Sequence, residues 1–363
     1  MFSNHRYFII MSRSITSLFA ALGIFSCTAA AADNYNVKVT FTPDEDGLML
    51  YMVNYDDGTK IDSSLVDNGI ASMSGIITAP VMAQLVLDGN RAGSFILEPG
   101  TTNVDANTRS VKASGPMNRQ WDSFSKRLEA ITTEYNSIFS SAGNDNEKQA
   151  LLKGLEERYN AVSDSMFAAN TDNIIGYRLF LDKAYELTPS EFESRLVNYP
   201  DMGNYTRIKR LRVSKSNEAA TSVGNKFKDF SIQNGDSIQK LSDYVGKGKW
   251  TLVDFWASWC GPCIKETETL KQLYSKYSDK GLDFLGVAVW DEPENTKKAI
   301  RDHQLPWPMI INAQTIPTDI YGIAGIPCII LFDPEGNIVS RGKQGQALIK
   351  DVDEAMTNVK END

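Results

Sequence analysis

The hydrophobic and polar residues follow a different period in each of three successive parts of the chain. In the first part, residues 36–111, they alternate in short runs that are separated by turn residues such as Asp56-Asp57-Gly58 and Asp88-Gly89-Asn90. Alternation with a period of two is typical of strands with one buried face. The alternating apolar positions include Val37, Val39, Phe41, Leu48, Leu50 and Met52. We therefore predict an antiparallel β-sandwich at residues 33–115.

In the second part the apolar residues recur every three or four positions, which predicts amphipathic helices. They are Trp121, Phe124, Leu128, Ile131, Tyr135 and Ile138, followed by Leu151, Leu155, Tyr159, Val162 and Met166. A polar segment at 141–147 separates the two runs. Thr188, Pro189 and Glu191 then fit an N-cap, a first helical position and a capping box. Because residues 214–222 are polar and lack a period, we predict a helical connector that ends near residue 221.

In the third part, residues 222–363, predicted strands and helices alternate. The strands are expected at 250–255, 284–289, 309–311, 328–332 and 338–340, and the helices at 260–277, at 296–303 and at the C-terminus. Alternating strands and helices are typical of a layered α/β domain. A chain of 363 residues with 42% hydrophobic residues is long enough for this domain and a second one.

Residues 1–32 have the pattern of an export signal. Arg6 and Arg13 carry positive charge, residues 15–25 are mainly apolar, and alanines at 29–32 offer a cleavage site before Asp33. The apolar run is too short to span a bilayer. We expect ordinary cleavage, which would discard Cys27, and a lipid anchor at Cys27 is the alternative. The signal predicts a periplasmic or cell-envelope location.

The composition limits both the partners and the catalytic chemistry that we expect for this chain. The net charge of −9 disfavours nucleic acid and anionic membrane surfaces as partners. Only two histidines occur, His5 in the predicted signal and His303, so histidine-based triads and metal sites are disfavoured.

The clearest candidate chemistry is a cysteine pair, Cys260-Gly261-Pro262-Cys263, between an apolar strand and a helix. Cys260 would lie at the helix N-terminus, where free N–H groups and the helix dipole favour its thiolate. Cys263 would lie one turn further on and attack the mixed disulfide formed by Cys260. The pair is thus predicted to exchange thiols for disulfides.

Two other interpretations of the pair remain open. A structural disulfide is typical of exported proteins, but closing so short a loop removes little entropy from the unfolded chain. A zinc site would need two further ligands, and only Cys328 and His303 remain as candidates.

Residues 253–263 closely resemble the active-site run of thioredoxin, and residues 321–327 resemble its cis-proline loop. The export signal, the elements predicted between residues 291 and 320, and the turn at 333–336 are more similar to TlpA-like envelope reductases. The first part of the chain more weakly resembles β-sandwich domains of unknown function that are fused ahead of such reductases. The resemblance implies a thioredoxin-like fold for residues 222–363.

The resemblance also implies roles for individual residues. Asp254 would be the buried carboxylate that accepts the Cys263 proton through water, and burying an acid in an apolar strand is costly without such a role. Pro327 would follow a cis peptide bond, which would let the Ile326 backbone pair with an extended substrate. The residues expected to contact substrate are Trp259, Gly261, Pro262, Gly325, Ile326 and Pro327. The cysteine pair would act without a further cofactor or metal.

Three positions depart from the family pattern. Cys328 follows the proline where threonine is common, which places a third sulfur near the site, although most buried free cysteines act as small apolar residues. Residues 285–289 contain no lysine to accompany Asp254, so the pKa of Asp254 is expected to differ from the family's. Gly261 replaces the glutamate that some envelope reductases carry.

The Gly261-Pro262 dipeptide is that of thioredoxin, a strong reductant, so we expect reduction of disulfides in exported proteins and a membrane electron donor. One alternative is a thiol peroxidase of the peroxiredoxin type, but Val253 and Ala257 stand where that family has proline and threonine. The other alternative is a ligand-binding envelope protein with an incidental redox pair.

Overall fold

The computed structural model describes residues 33–107, 111–141, 145–235 and 237–360. The predicted export signal and Cys27 lie outside the described residues. Within the described residues, no helix combines the length and the apolar character needed to cross a membrane.

The first part of the chain forms the predicted β-sandwich. Its strands are β1 (Asp33–Thr40), β2 (Met49–Asn54), β3 (Lys60–Leu65), β4 (Ile70–Ile77), β5 (Val81–Leu87), β6 (Asn90–Leu97), β7 (Gly100–Asp105) and β8 (Lys112–Ala113). One sheet has the order β4-β1-β7-β8 and the other β3-β2-β5-β6. Alternate residues such as Val37, Val39, Leu50 and Met52 meet in one core. The pairs are antiparallel as predicted, except that β1 and β7 run parallel.

The described residues of the connector form five α-helices. They are α1 (Pro116–Ser140), α2 (Asp145–Ala168), α3 (Ile174–Glu186), α4 (Pro189–Asn198) and α5 (Thr206–Ala220). At the start of α4 the Thr188 N–H donates to the Glu191 carboxylate at 2.9 Å, and the Thr188 hydroxyl accepts from the Glu191 N–H, which completes the capping box. The polar residues from 214 onward are helical up to Ala220. Their apolar period is missing because Lys215 takes one of the buried positions of α5.

Asp56, in the turn between β2 and β3, joins the sandwich to the connector. Its carboxylate accepts hydrogen bonds from the Tyr177 hydroxyl at 2.7 Å and from the N–H groups of Thr206 at 2.7 Å and Arg207 at 2.9 Å. An acidic side chain satisfies the free N–H groups at a helix start and interacts favourably with the helix dipole. The sandwich thus caps α5.

The third part has the predicted thioredoxin-like α/β fold. Its elements are β9 (Ser231–Asn234), β10 (Ser237–Lys240), β11 (Trp250–Trp256), α6 (Gly261–Tyr277), β12 (Leu282–Ala288), α7 (Pro293–Asp302), β13 (Met309–Ile310), α8 (Ile316–Tyr321), β14 (Cys328–Phe332), β15 (Ile338–Arg341) and α9 (Gly345–Lys360). The central sheet has the order β13-β12-β11-β14-β15, with β11 parallel to β12 and antiparallel to β14. Separate apolar cores cover its two faces. The sequence did not reveal β9, β10 and α8.

The C-terminal end of α5 packs on this domain next to the loop that leads to Pro327. Gly322 has φ +60°, and a Cβ there would lie 2.2 Å from the Ser214 carbonyl oxygen and 2.4 Å from the Glu218 nitrogen. The Thr221 hydroxyl donates to the Tyr321 carbonyl at 3.0 Å. The backbone of α5 and that of the loop are therefore in direct contact. The element ends lie close to residues 115 and 221, and the division into domains there stays a prediction.

Candidate active site

Cys260 and Cys263 form a disulfide at the N-terminus of α6. Cys260 is the N-cap residue, Pro262 follows in the first turn, and the Cys263 N–H donates to the Cys260 sulfur at 3.2 Å. Proline is favoured there because its missing N–H would have no partner in the helix. A thiolate at Cys260 would receive the same N–H donor and the positive end of the helix dipole, which stabilise the attacking species.

The loop before β14 lies against this pair. The Ile326–Pro327 peptide bond is cis, and the Ile326 carbonyl oxygen lies 3.8 Å from the Cys260 sulfur. Sheet pairing of β14 with β11 begins only at Cys328. Within the described residues, the N–H groups of residues 324–326 have no hydrogen-bond partner. A short stretch of unpaired backbone thus lies directly beside Cys260.

Asp254 lies on β11 and is only 5% exposed. Among the described residues, its buried Oδ1 atom has no hydrogen-bond partner. Burial, with a smaller contribution from the Glu266 carboxylate, raises the pKa of Asp254 from 3.8 to about 8. The charged form is disfavoured because little replaces the water it has lost. Near neutral pH this carboxyl group can therefore both hold and release a proton.

Gly286 on β12 is the sheet neighbour of Asp254. A Cβ at Gly286 would lie 2.1 Å from the Met309 sulfur and 3.2 Å from Trp256 Nε1. A side chain at this position would require Met309 to move, and β12 carries no lysine or arginine. Asp254 consequently receives no cation from β12, which agrees with its raised pKa.

Glu266 was not identified from the sequence. It lies on α6 three residues after Cys263, and its carboxylate accepts a hydrogen bond from the Gly345 N–H at 2.8 Å. Residues three apart share a helix face. Leu252 and Trp256, which share a strand face with Asp254, pack in the same core as Cys263, so the Asp254 carboxyl faces α6. The spacing of Glu266 from Cys263 was the available signal.

Asp291 is a second residue that the sequence analysis missed. It is buried and accepts hydrogen bonds from the Ser258 N–H at 2.8 Å, the Ser258 hydroxyl at 2.8 Å and the Thr296 hydroxyl at 2.7 Å. These bonds fix the turn that precedes Cys260. The signal was an acidic residue directly after an apolar strand and before a proline-initiated helix.

The residues predicted to contact substrate surround Cys260. Trp259 is 61% exposed, and its indole N–H donates to the Trp290 carbonyl at 2.9 Å. Gly261 and Pro262 are exposed on one side, and Gly325, Ile326 and Pro327 lie on the other. The structure therefore brings these residues together, and their roles stay predictions.

Cys328 is a free, buried thiol at the start of β14. Burial raises its pKa from 9.0 to about 11, so the thiol is protonated near neutral pH. This environment agrees with the interpretation of Cys328 as a small packed residue.

The fold and the cysteine pair together define a thioredoxin-like thiol-disulfide oxidoreductase. Residues 223–341 match the AhpC/TSA family, and residues 35–120 match a domain of unknown function, DUF4369. The chain is 30% identical to the thiol-disulfide oxidoreductase ResA of Geobacillus thermodenitrificans over 122 residues, which are 33% of this chain and 69% of ResA. It is 28% identical to ResA of Bacillus cereus over 133 residues, 36% of this chain and 75% of that protein. The chain belongs to the ResA-like thiol-disulfide oxidoreductases.

Solved structures match about as large a part of the chain as these relatives do. The thioredoxin domain of a thiol-disulfide oxidoreductase from Bacteroides vulgatus is 33% identical and matches 37% of this chain and 98% of its own length, with a TM-score of 0.34. A putative thiol:disulfide interchange protein DsbE from Chlorobium tepidum is 28% identical and matches 37% of this chain and 98% of its own, with a TM-score of 0.32.

Proposed function

We propose that this protein reduces disulfide bonds of exported proteins through the dithiol form of Cys260 and Cys263. The observation that supports this most directly is the position of Cys260, at the start of α6 and 3.8 Å from the Ile326 carbonyl oxygen. A nucleophile stabilised by a helix N-terminus lies there beside unpaired backbone that can hold an extended chain.

In the first step the Cys260 thiolate attacks one sulfur of the substrate disulfide. A bond forms between Cys260 and that sulfur, and the other substrate sulfur leaves as a thiolate, which takes a proton from solvent. The product is a mixed disulfide between Cys260 and the substrate.

In the second step Cys263 loses its proton and attacks the Cys260 sulfur. The substrate leaves as a thiolate, and the Cys260–Cys263 disulfide that the structure shows is formed again. Two electrons have then passed from the pair to the substrate. Asp254 is suited to accept the Cys263 proton, through water, because its pKa of about 8 is close to neutral pH.

The substrate is held beside Cys260 by its own backbone. An extended segment pairs with residues 324–326, whose N–H groups are otherwise unpaired within the described residues. Trp259, Pro262 and Ile326 provide apolar contacts around the attacked sulfur. Because backbone pairing is independent of side chains, this mode suits several protein substrates.

The export pattern in residues 1–32 supports a cell-envelope or periplasmic location, with either cleavage or lipid attachment at Cys27. In such an oxidising compartment the pair must be reduced again after each turnover, so a membrane electron donor is part of the proposal. The acidic charge argues against nucleic acid as a partner.

A trapping experiment tests this function. Cys263→Ser removes the second attack and leaves Cys260 in place, so mixed disulfides should accumulate on Cys260 when the full-length variant is expressed with its export signal. We expect a small set of exported proteins that dithiothreitol releases, identified by mass spectrometry. The matched control is Cys263→Ser combined with Cys260→Ser, which should trap nothing. The peroxidase alternative would gain support instead if Cys263→Ser trapped no protein and the wild type consumed peroxide rapidly.

A further inference from the structure

A cavity of about 320 Å³ lies between the connector and the loop that precedes Pro327. On the side of the thioredoxin-like domain it is lined by residues 322–325, Cys328 and Arg341. On the connector side it is lined by residues 185–188 at the junction of α3 and α4 and by Lys215 and Glu218 of α5. The same loop therefore faces Cys260 at one end and this cavity at the other.

The connector side of the cavity, which we call the connector wall, carries both charged and aromatic groups. Lys215 is only 7% exposed, and its ammonium nitrogen lies 3.2 Å from a carboxylate oxygen of Glu218. Tyr185 is 50% exposed, so its ring is available for contact. Such a wall offers hydrogen-bonding groups beside an aromatic surface, a combination common where proteins bind peptides.

The wall has a fixed position relative to Cys260. A Cβ at Gly322 would clash with the backbone of α5 at Ser214 and Glu218, so the loop and α5 are as close as backbones allow. The Asn217 amide also donates to the Asp319 carbonyl at 2.9 Å. A substrate bound along the loop would thus meet the connector in one defined place.

The cavity begins within the stretch of backbone that would pair with substrate, because residues 324 and 325 belong to that stretch and also line the cavity. An extended substrate chain advances about 3.3 Å per residue. A polypeptide that pairs with residues 324–326 would therefore continue along the loop toward the cavity, whereas a small disulfide has no chain to extend there.

We propose that the connector forms a subsite for the polypeptide on one side of the substrate cysteine, and that Tyr185 is a specificity-determining residue of this subsite. The occupant is an extended segment of a disulfide-containing protein. The inference rests on the proposed thiol–disulfide exchange at Cys260. It assigns to the connector a direct part in choosing protein substrates over small disulfides.

The test compares three substrates that share one leaving group. These are the symmetrical thionitrobenzoate disulfide, a peptide–thionitrobenzoate mixed disulfide with residues only before its cysteine, and another with residues only after it. Reduced full-length protein is mixed with each, and release of coloured thionitrobenzoate gives the rate constant for attack by Cys260. For each substrate the variant is compared with wild type, so the intrinsic reactivity of the attacked sulfur cancels and the ratio of rate constants reports binding along the groove.

We expect Tyr185→Ala to lower the rate constant about three- to ten-fold for one of the two peptides and to leave the other peptide and the small disulfide within about two-fold. Tyr185→Phe should restore most of the rate, since it keeps the ring. The matched control is Tyr159→Ala, a connector tyrosine on α2 that is 41% exposed and lies outside this cavity.

Equal effects of Tyr185→Ala on all three substrates, or no effect on either peptide, would overturn the subsite. A different result concerns the proposed function: if reduced wild type released thionitrobenzoate from none of the substrates, exchange at Cys260 itself would be wrong.

Discussion

The buried carboxyl of Asp254 should make the folded protein less stable as the pH rises. Its pKa is about 8 in the folded state and 3.8 as an ordinary aspartate. Between these values the folded state holds a proton that the unfolded state has lost. Rising pH therefore favours the unfolded state, and the loss of stability is complete above the folded pKa. Below about pH 4 both states are protonated, and the effect vanishes.

The size of the effect follows from the two pKa values. A tenfold change in proton concentration corresponds to about 1.4 kcal/mol, so the cost relative to acid pH reaches about 4 kcal/mol at pH 7 and levels off near 6 kcal/mol above pH 8. The contribution of this one group is large because Asp254 is buried and receives no cation from β12.

Asp254→Asn tests this reasoning, because asparagine keeps the volume and does not titrate. The free energy of unfolding in urea is measured from about pH 4 to pH 8 for wild type and variant, both with the Cys260–Cys263 disulfide intact so that these thiols do not contribute. The buried amide adds a cost of about 1–3 kcal/mol that does not depend on pH. We therefore expect the variant to become progressively more stable relative to wild type as the pH rises. Parallel pH profiles would show that the pKa of Asp254 is not raised in the folded state. The proposed role as a base would then lose its support, because a carboxylate with an ordinary pKa is too weak a base for the Cys263 thiol.

Two further predictions concern residues next to the pair. Cys328→Ala should leave the turnover of insulin disulfides within about three-fold, because burial keeps this thiol protonated; a larger loss, or a Cys328 disulfide found by mass spectrometry, would contradict the packing role. Asp291→Ala removes the acceptor of the two Ser258 hydrogen bonds, so thionitrobenzoate release should slow about ten-fold for small and peptide substrates alike. Quenching of tryptophan fluorescence by added acrylamide should increase, because the turn that carries the exposed Trp259 would no longer be fixed. Asp291→Asn, which keeps an acceptor, should recover part of the rate; unchanged rates and quenching would contradict this positioning role.

The sequence predicted best those elements whose signals are local. Strand β11 is a continuous apolar run, and α6 begins where Cys260 and Pro262 provide an N-cap and a first-turn proline. The capping box at Thr188 and Glu191 likewise depends on residues three apart. Such features form from neighbouring residues, so the chain alone contains the information.

The pairing of strands that are distant in the sequence was harder to predict. Alternation identified the buried faces of the sandwich strands, but it does not say which strands are neighbours, and the parallel pair of β1 and β7 was missed for this reason. The helix α8 has six residues, too few to show a helical period. In α5 the buried Lys215 interrupts the apolar pattern, because its charge is paired with Glu218.

The residues of the candidate site also fall into those found from local motifs and those that depend on distant contacts. The cysteine pair and the loop at 321–327 could be identified from the sequence, since each is a contiguous motif. Asp291 and Glu266 were missed despite their local signals, because their importance depends on which distant backbone groups they meet, the Ser258 N–H for Asp291 and the Gly345 N–H for Glu266. The missing lysine in residues 285–289 was visible in the sequence, but the close packing of Met309 against Gly286 was not.

The two ends of α5 bear on what the first 221 residues contribute. At its start the backbone N–H groups of Thr206 and Arg207 are bound by Asp56 of the sandwich, and at its end Thr221 donates to the Tyr321 carbonyl beside Gly322. One helix of 15 residues, about 22 Å long, thus joins the sandwich to the loop that leads to Pro327. A passive spacer would need no such contacts at both ends. Cutting the chain at residue 222 would remove α5 from the loop and take away one wall of the adjoining cavity, so activity of an isolated C-terminal domain would report on a different substrate groove from that of the whole protein.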